Sequence, residues 1–352
     1  MTRLLRPRTK EGILRLKPYV GSESKLSENE LINISSNESA FEASVHARDA
    51  YINASKDLRC YPEIDAISLR RAIAKKYGLT ADRIICGTGS DQIIDLIALA
   101  YAGVGDEVVY SAHGFQMYPI AAHAVGAMPI AAPEQNLTSS VDAILDKVND
   151  RTRIVFLANP NNPTGTMLSQ DELNRLHSGL PGDVVFVIDA AYAEYVTQSN
   201  YEPGIELAGK EDNVIMTRTF SKIYALANLR VGWAYGPTDI IESLDRIRPP
   251  FNVNGPAIAA AVSAAGGAWT SGAAGFTVSA MTGARAGFDI DTGSAVLAPA
   301  GAAKRRQWRH FRPASGRNVG GRAVTWNNEV GGTPRRPWLA TSRSERRPRR
   351  KH

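Results

Sequence analysis

The stretch Thr219-Phe-Ser-Lys-Ile-Tyr-Ala-Leu-Ala-Asn-Leu-Arg230 places one lysine, Lys222, among small, hydroxyl-bearing and apolar residues. Such surroundings weaken the hydration of the ammonium charge, so the pKa of the lysine falls and its neutral amine can condense with an aldehyde. The hydroxyls of Thr219 and Ser221 and the guanidinium of Arg230 are suited to binding a phosphate group. The stretch therefore predicts the covalent anchor of a phosphorylated aldehyde, and pyridoxal phosphate (PLP) is the cofactor that fits.

Short apolar runs alternate with helical patterns on both sides of this stretch. The runs predict strands at Arg83–Cys86, Glu107–Tyr110, Ala127–Ala131, Ile154–Ala158, Val184–Ile188, Val214–Thr217 and Val231–Tyr235. Helical patterns occupy Asp65–Tyr77, Ser90–Tyr101, Phe115–Val125, Ser140–Val148, Ser169–His177 and Thr238–Ile247. This alternation is typical of an α/β fold in which helices cover a mostly parallel sheet of about seven strands.

The pattern divides the chain into four parts. Residues 1–60 form an N-terminal arm with few regular signals, residues 61–250 the cofactor-binding large domain, and residues 251–262 the start of a linker. Residues 263–352 form an anomalous basic tail, with 16 Lys and Arg against 4 Asp and Glu and with four of the five tryptophans.

Three interpretations of this tail are open: a segment that binds nucleic acid, a disordered solvated extension, or a GC-rich gene read in the wrong frame. The excess of Arg, Gly, Ala, Pro and Trp favours a frameshift near residues 262–265. We then expect the small C-terminal domain to be absent or degraded. No folded reader of nucleic acid is visible in the sequence, so we expect no nucleic-acid partner.

The composition limits the remaining classes. Two cysteines, Cys60 and Cys86, imply no disulfide framework and predict a reducing compartment. The first ten residues lack the apolar core of a signal peptide, and no apolar run approaches the length of a membrane span. The six histidines show no metal-ligand spacing. These features predict a cytoplasmic protein without a membrane partner or a metal site.

The stretch Gly87-Thr-Gly-Ser-Asp91 follows a predicted strand and opens a predicted helix. Its small residues let the backbone approach an anion, and free N–H groups at the start of a helix point toward that anion. Ser90 or Asp91 would cap the helix. An ordinary strand-to-helix turn is an equally open interpretation, because neither a Walker A ending nor the third glycine of a dinucleotide fingerprint is present.

Two other predicted strands end in polar residues. The stretch Asn159-Pro-Asn-Asn-Pro-Thr-Gly165 predicts a rigid loop whose asparagine amides can donate to a phenolate-type oxygen, although a plain tight turn is also possible. Asp189 ends an apolar strand, where a carboxylate needs a positive partner such as a pyridinium N–H. Tyr192 could then reach the neighbouring ring oxygen. The alternative is that Asp189 caps a helix.

Aromatic residues lie at two further junctions. Phe115 could stack on a flat heteroaromatic ring or pack in the core, and both interpretations are open. For Tyr118 the core is the favoured interpretation. Tyr61, in Cys60-Tyr61-Pro62, could contribute to packing or donate to a phosphate, and its spacing does not decide between them.

In order and spacing these motifs resemble the fold-type I aminotransferases that use PLP, and among those the histidinol-phosphate aminotransferases are the most similar. The resemblance covers about residues 10–262. The matching stretches are Arg59–Pro62, Gly87–Asp91, Phe115–Tyr118, Pro160–Gly165, Asp189–Glu194 and Thr219–Arg230. The N-terminal Asn-Glu-Asn-Pro pattern of these enzymes is replaced by Ser36-Asn37-Glu38-Ser39, which keeps an asparagine and loses the proline.

The resemblance implies roles for the matching positions in PLP chemistry. Lys222 would anchor PLP and move the proton, and Asp189 would keep the pyridine nitrogen protonated. Asn162 and Tyr192 would hold the phenolic oxygen, and Phe115 would stack on the ring. The residues expected to bind the cofactor phosphate are Ser90, Asp91, Thr219, Ser221 and Arg230, with Tyr61 reaching across from a second copy of the chain.

The implied assembly is a homodimer, and Asn37 is the candidate substrate contact. The implied reaction moves an amino group from a donor to a 2-oxo acid, with histidinol phosphate and 2-oxoglutarate as the pair used in histidine biosynthesis. Three alternatives are open on the same fold. They are an aromatic aminotransferase, a decarboxylase of a phosphorylated amino acid, and a catalytically impaired chain that lacks the substrate-binding small domain.

Overall fold

All seven predicted apolar runs become strands of one sheet in the computed structural model, which describes residues 7–18 and 36–266 and the backbone of residues 286–289 and 294–297. The strands are β1 Ile84–Gly87, β2 Glu107–Ser111, β3 Met128–Ala132, β4 Glu134–Gln135, β5 Thr138–Ser139, β6 Thr152–Ala158, β7 Val185–Asp189, β8 Val214–Thr219, β9 Gly232–Tyr235, β10 Ala286–Asp289 and β11 Ser294–Leu297. Strands β4 and β5 pair with each other, as do β10 and β11.

The seven-stranded sheet has the order β1-β9-β8-β7-β6-β2-β3. Strands β8, β7, β6, β2 and β3 run parallel, whereas β9 is antiparallel to both β1 and β8. The prediction of a mostly parallel α/β sheet is confirmed. The expectations for the small domain and the frameshift concern residues that lie almost entirely outside the described part of the chain.

The helices within the described residues are α1 Glu11–Leu14, α2 Val45–Ala54, α3 Ile67–Tyr77, α4 Gly89–Tyr101, α5 Met117–Val125, α6 Val141–Leu145, α7 Gln170–Ser178, α8 Ile205–Lys210, α9 Thr238–Ile247 and α10 Gly255–Gly266. Helix α6 is shorter than the predicted Ser140–Val148, because the chain leaves it through tight backbone hydrogen bonds between residues three apart at Lys147 and Val148. Helix α7 begins with a capping box, in which Ser169 and Glu172 exchange hydrogen bonds between side chain and backbone.

Helices cover both faces of the sheet, which explains why the central parts of its strands are apolar on both faces. Val108 and Phe156 lie in the core beneath α4, α5 and α9. Their chain neighbours Val109 and Val155 lie in the opposite core, beneath α3, α6, α7 and α10. Side chains alternate between the two faces of a strand, so each parallel strand contributes to both cores.

Four of the described helices lie outside the helical patterns predicted from the sequence: α1, α2, α8 and α10. Helix α2 forms within the N-terminal arm and packs against α10, yet Ala47 is its only buried residue. Helix α10 buries a face of alanines and one isoleucine and extends to Gly266, across the predicted boundary at residue 262. The four-part division of the chain stays a prediction.

Candidate active site

The carboxyl ends of β1, β7 and β8 meet at one edge of the sheet, together with the start of β9. Gly232 at the start of β9 pairs with both Gly87 and Thr219. A Cβ at Gly232 would lie 2.2 Å from the backbone nitrogen of Ser90, so only glycine permits this approach. The stretch Gly87–Asp91, called the phosphate loop below, therefore lies directly beside the end of the lysine-bearing strand. Ligands of open α/β sheets bind at this edge.

Arg230 connects the phosphate loop to the lysine-bearing stretch. Its guanidinium donates to Oδ2 of Asp91 over 2.8 Å and to Oγ of Ser221 over 3.2 Å. The backbone nitrogen of Ser221 in turn donates to Oγ1 of Thr219 over 3.0 Å. Ser90 is buried in the first turn of α4, where backbone N–H groups lack partners within the helix. A guanidinium, hydroxyls and helix N–H groups form a donor set that suits a phosphate.

Lys222 lies between this donor set and the N-terminal arm. Its Nζ donates to the backbone oxygens of Ser36 and Asn37, over 3.1 and 3.2 Å, and lies 5.5 Å from the centre of the Tyr192 ring. Burial lowers the pKa of Lys222 from its ordinary value; nearby Asp91 opposes this shift and Arg230 adds to it. The direction agrees with the prediction from sequence and favours the neutral, nucleophilic amine.

Asp189 ends β7 and is almost completely buried. Its carboxylate accepts hydrogen bonds from the hydroxyls of Tyr118, over 2.8 Å, and Thr217, over 3.1 Å. Burial raises the pKa of Asp189, and the two hydrogen bonds oppose this shift because they favour the charged form. The carboxylate is therefore held in place but makes no ion pair with the residues that the structure describes, as would suit a cationic ring nitrogen.

Sequence reasoning missed two contributors to this carboxylate. Tyr118 was expected to be a core residue, and it is buried with its ring stacked on Phe156, but its hydroxyl also binds Asp189. No motif in the sequence points to Thr217. The signal that could have found it is its spacing, because residues 217 and 219 of one strand point to the same face.

Asn37 brings the N-terminal arm onto Tyr192 and Asn162. Its Nδ2 donates to the hydroxyl of Tyr192 over 3.1 Å and lies 3.5 Å from Oδ1 of Asn162. Burial raises the pKa of Tyr192 to about 12, while the hydrogen bond from Asn37 acts in the opposite direction. The peptide bond between Asn162 and Pro163 is cis. The structure therefore brings together the two residues predicted to hold a ring oxygen and the predicted substrate contact.

The two remaining predicted residues lie farther out. Phe115 is half-buried and meets the ring of Tyr118 edge to face, with 5.8 Å between the ring centres. Tyr61 is 83% exposed and stacks on Phe251 with the ring centres 4.8 Å apart. Its ring is therefore presented outward, and its reach toward a second copy of the chain stays a prediction.

The chemistry of the assembled residues fits PLP. The amine of Lys222 can bind an aldehyde, the carboxylate of Asp189 can bind a ring nitrogen, and the donors around Arg230 can bind a phosphate.

Among the described residues, no group of three or more His, Cys, Asp or Glu is arranged to hold a metal ion. None of the helices in the described part of the chain is long and apolar enough to cross a bilayer.

Comparison with known proteins agrees with this geometry. Residues 29–275 match the family model described as aminotransferase class I and II. The chain is 51% identical over 261 residues to a histidinol-phosphate aminotransferase of Rhodopseudomonas palustris, covering 74% of this chain and 72% of the relative. It is 52% identical over 254 residues to one from Rhodospirillum centenum, covering 72% of this chain and 70% of the relative.

A solved structure is similar over about two thirds of this chain. The histidinol-phosphate aminotransferase of Sinorhizobium meliloti, in complex with pyridoxal-5'-phosphate, superposes with a TM-score of 0.63 at 28% identity. The match covers 65% of this chain and 62% of that one. The family model matches well over half of the chain. The two relatives share about half of their aligned residues with it, which is enough to establish a common family. This chain therefore belongs to the class I and II aminotransferases.

Proposed function

We propose that the chain is a PLP-dependent aminotransferase of histidine biosynthesis. In this reaction histidinol phosphate and 2-oxoglutarate exchange an amino group for a keto oxygen, giving glutamate and imidazole-acetol phosphate. The observation that carries the proposal is the meeting of Lys222, Asp189 and Arg230 at one sheet edge. The identity of about half of the aligned residues with histidinol-phosphate aminotransferases supports the substrate pair.

PLP, when bound, supplies a protonated ring that accepts electron density during the reaction. Asp189 would hold the ring nitrogen, and the hydroxyls of Tyr118 and Thr217 orient its carboxylate and favour its charged form, against the effect of burial. Tyr192 and Asn162 would hold the ring oxygen. Their side chains lie close together, because the amide nitrogen of Asn37 contacts both. Phe115 would then pack beside the ring.

Lys222 would serve both as the covalent anchor and as the group that moves the proton. Its lowered pKa favours a neutral Nζ, which would bind the aldehyde carbon with loss of water. Once the amine of the substrate has replaced it there, the freed Nζ would accept a proton from the α carbon of the substrate. The donors that would bind the phosphate are Ser90, Asp91 by its backbone, Thr219, Ser221 and Arg230. These donors would fix the position of the ring relative to Lys222, which is what a directed proton transfer requires.

We also propose that the protein is a cytoplasmic homodimer in which Tyr61 of one copy reaches the phosphate of the other. The exposed position of its ring supports this assignment, because Phe251 packs against one face and leaves the hydroxyl outward. A phenol hydroxyl at this point can donate to a phosphate oxygen. Each site would then be complete only in the dimer.

Covalent trapping tests the cofactor assignment. The purified protein is incubated with PLP, reduced with borohydride, digested and mapped by mass spectrometry. We expect the added pyridoxyl mass on the peptide that contains Lys222 and none in Lys222→Ala. Absence of label from the wild-type peptide would refute the proposed function.

Product analysis tests the reaction. We expect histidinol phosphate to transfer its amino group to the bound cofactor, and 2-oxoglutarate to collect it as glutamate. A protein that is labelled at Lys222 but takes an amino group from neither histidinol phosphate nor glutamate would identify the catalytically impaired alternative. Release of carbon dioxide from a phosphorylated amino acid would identify the decarboxylase, and transfer from aromatic amino acids alone would identify an aromatic aminotransferase.

A further inference from the structure

The segment between α9 and α10 makes a closed set of hydrogen bonds with the phosphate loop. Nδ2 of Asn252 donates to Oε1 of Gln92 over 2.7 Å and to the backbone oxygen of Cys86 over 3.0 Å. The same Oε1 accepts from the backbone nitrogen of Thr88 over 2.9 Å. The hydroxyl of Thr88 donates to the backbone oxygen of Asn252. One asparagine is therefore bonded to the residue before the loop, to the loop itself and to the helix that follows it.

Arg248 fixes the orientation of this asparagine. Its side chain is only 7% exposed, and Nη1 donates to Oδ1 of Asn252 over 3.1 Å and to the backbone oxygen of Ile64 over 2.7 Å. Asp245 pairs with the same guanidinium over 2.8 Å. Since Arg248 can only donate, the amide oxygen of Asn252 must face it and the NH₂ group must face Gln92. The amide therefore has a single orientation that satisfies both neighbours.

Two glycines make the backbone of the phosphate loop dependent on contacts from neighbouring segments. Gly87 and Gly89 carry no side chain, and Gly89 has a φ of +76°, which glycine adopts without strain. The N–H groups at the start of α4 bind an anion only if they converge on it. Asn252 and Gln92 bond the chain at Cys86 and Thr88, whereas Arg230 bonds it at Asp91, so the loop is held near both of its ends.

We propose that Asn252, oriented by Arg248, is a positioning residue that sets the phosphate loop for its anion and thereby sets the preference for a phosphorylated cofactor. This inference rests on the proposed function. Asn252 acts through Gln92 and Thr88 and does not itself bind the phosphate. Its removal would leave the loop N–H groups free to turn away from the anion, and a hydrogen bond weakens steeply when its angle is poor.

The test compares the affinities for PLP and for pyridoxal, which lacks the phosphate, in the full-length protein. We expect Asn252→Ala to weaken PLP binding by about tenfold and to leave pyridoxal binding within about twofold. Asn213→Ala is the matched control, because Asn213 is also bonded to a backbone oxygen and a side chain, those of Val184 and His177, but at the far end of β8. We expect it to leave the ratio of the two affinities unchanged.

Equal losses for both cofactors, or an unchanged PLP affinity in folded Asn252→Ala, would overturn the inference. If Asn252→Ala does not fold, Gln92→Met removes the shared acceptor from the opposite side and must show the same selective loss. A wild-type protein that is labelled by PLP at Lys222 but shows no preference over pyridoxal would also overturn it, while the proposed function would stand. The thermal midpoint of each variant without cofactor separates loop positioning from general instability.

Discussion

The hydroxyl of Tyr118 donates to Oδ2 of Asp189 over 2.8 Å, and both residues are almost completely buried. The ring of Tyr118 lies parallel to that of Phe156, with 4.6 Å between the centres. Packing of two rings in the core thus determines where the carboxylate at the end of β7 points. The hydrogen bond also counters the rise in the pKa of Asp189 that burial causes.

Tyr118→Phe removes this hydroxyl and keeps the ring. We expect the pKa of Asp189 to rise further, because a hydrogen bond to its charged form is lost, and we expect PLP binding to weaken by about tenfold near neutral pH. The loss should be smaller at higher pH, where the carboxyl ionises again. Titration with PLP across a pH series measures this. A constant loss at all pH values would show that Tyr118 contributes packing alone.

Gly89→Ala should weaken binding of the cofactor phosphate in addition to straining the backbone. The new Cβ would lie 2.6 Å from Nη2 of Arg230, and the residue would keep a φ of +76°. Gly78→Ala is the matched control, since Gly78 has a φ of +67° and nothing within 4 Å of a Cβ. We expect each variant to lose about 1 kcal/mol of stability. Only Gly89→Ala should lose PLP affinity, and an equal effect of both on the dissociation constant of PLP would contradict this.

The pH dependence of the reaction between Lys222 and PLP should reflect the burial of this lysine. Burial holds the pKa of Lys222 below its ordinary value of 10.5. Only the neutral amine reacts, so labelling should increase with pH through a midpoint below that value. Borohydride trapping at a series of pH values measures the midpoint, with a blocked lysine in solution as reference. Identical midpoints for the protein and the reference would contradict the argument.

The buried pair of Arg218 and Glu194 should be important for stability. The guanidinium donates to Oε1 of Glu194 over 2.6 Å, and the Arg218 side chain is 5% exposed. Arg218→Met leaves a largely buried carboxylate without its partner, so we expect a loss of about 3–5 kcal/mol in the free energy of unfolding. Equilibrium denaturation with urea measures this loss.

The exposed pair of Arg175 and Asp142 is the control for that measurement. Their side chains are 51% and 75% exposed. We expect Arg175→Met to change the free energy of unfolding by less than about 1 kcal/mol. Comparable losses in the two variants would show that burial of the Arg218 pair does not determine its contribution.

Mixed dimers test the role of Tyr61. Lys222→Ala lacks the anchor and Tyr61→Ala lacks the residue that would reach the other copy, so each variant alone should be weak or inactive. In the mixed dimer one site regains both residues. We expect random mixing of equal amounts to restore about a quarter of the wild-type activity. No gain above the average of the two parents would exclude a shared site.

The sequence predicted most of this architecture because its signals are local. Apolar strands with polar carboxyl ends identified the sheet, and the residues around Lys222, Asp189 and Arg230 indicated the edge at which we propose the site. Helix α2 was missed because only Ala47 of its residues is buried, so it shows almost no apolar period. Asn252 was missed because it acts across 160 residues of chain, on Gln92.

By itself the sequence determined the class of fold and the family and predicted Lys222 as the anchor, since these depend on residue type, order and spacing along the chain. Only the tertiary structure decided which groups meet. It placed the hydroxyls of Tyr118 and Thr217 on Asp189, the arm's Asn37 on Tyr192, and Asn252 on the phosphate loop. The physical reason is that a hydrogen bond requires approach within about 3 Å, and packing of distant segments, which leaves no local pattern, sets that distance.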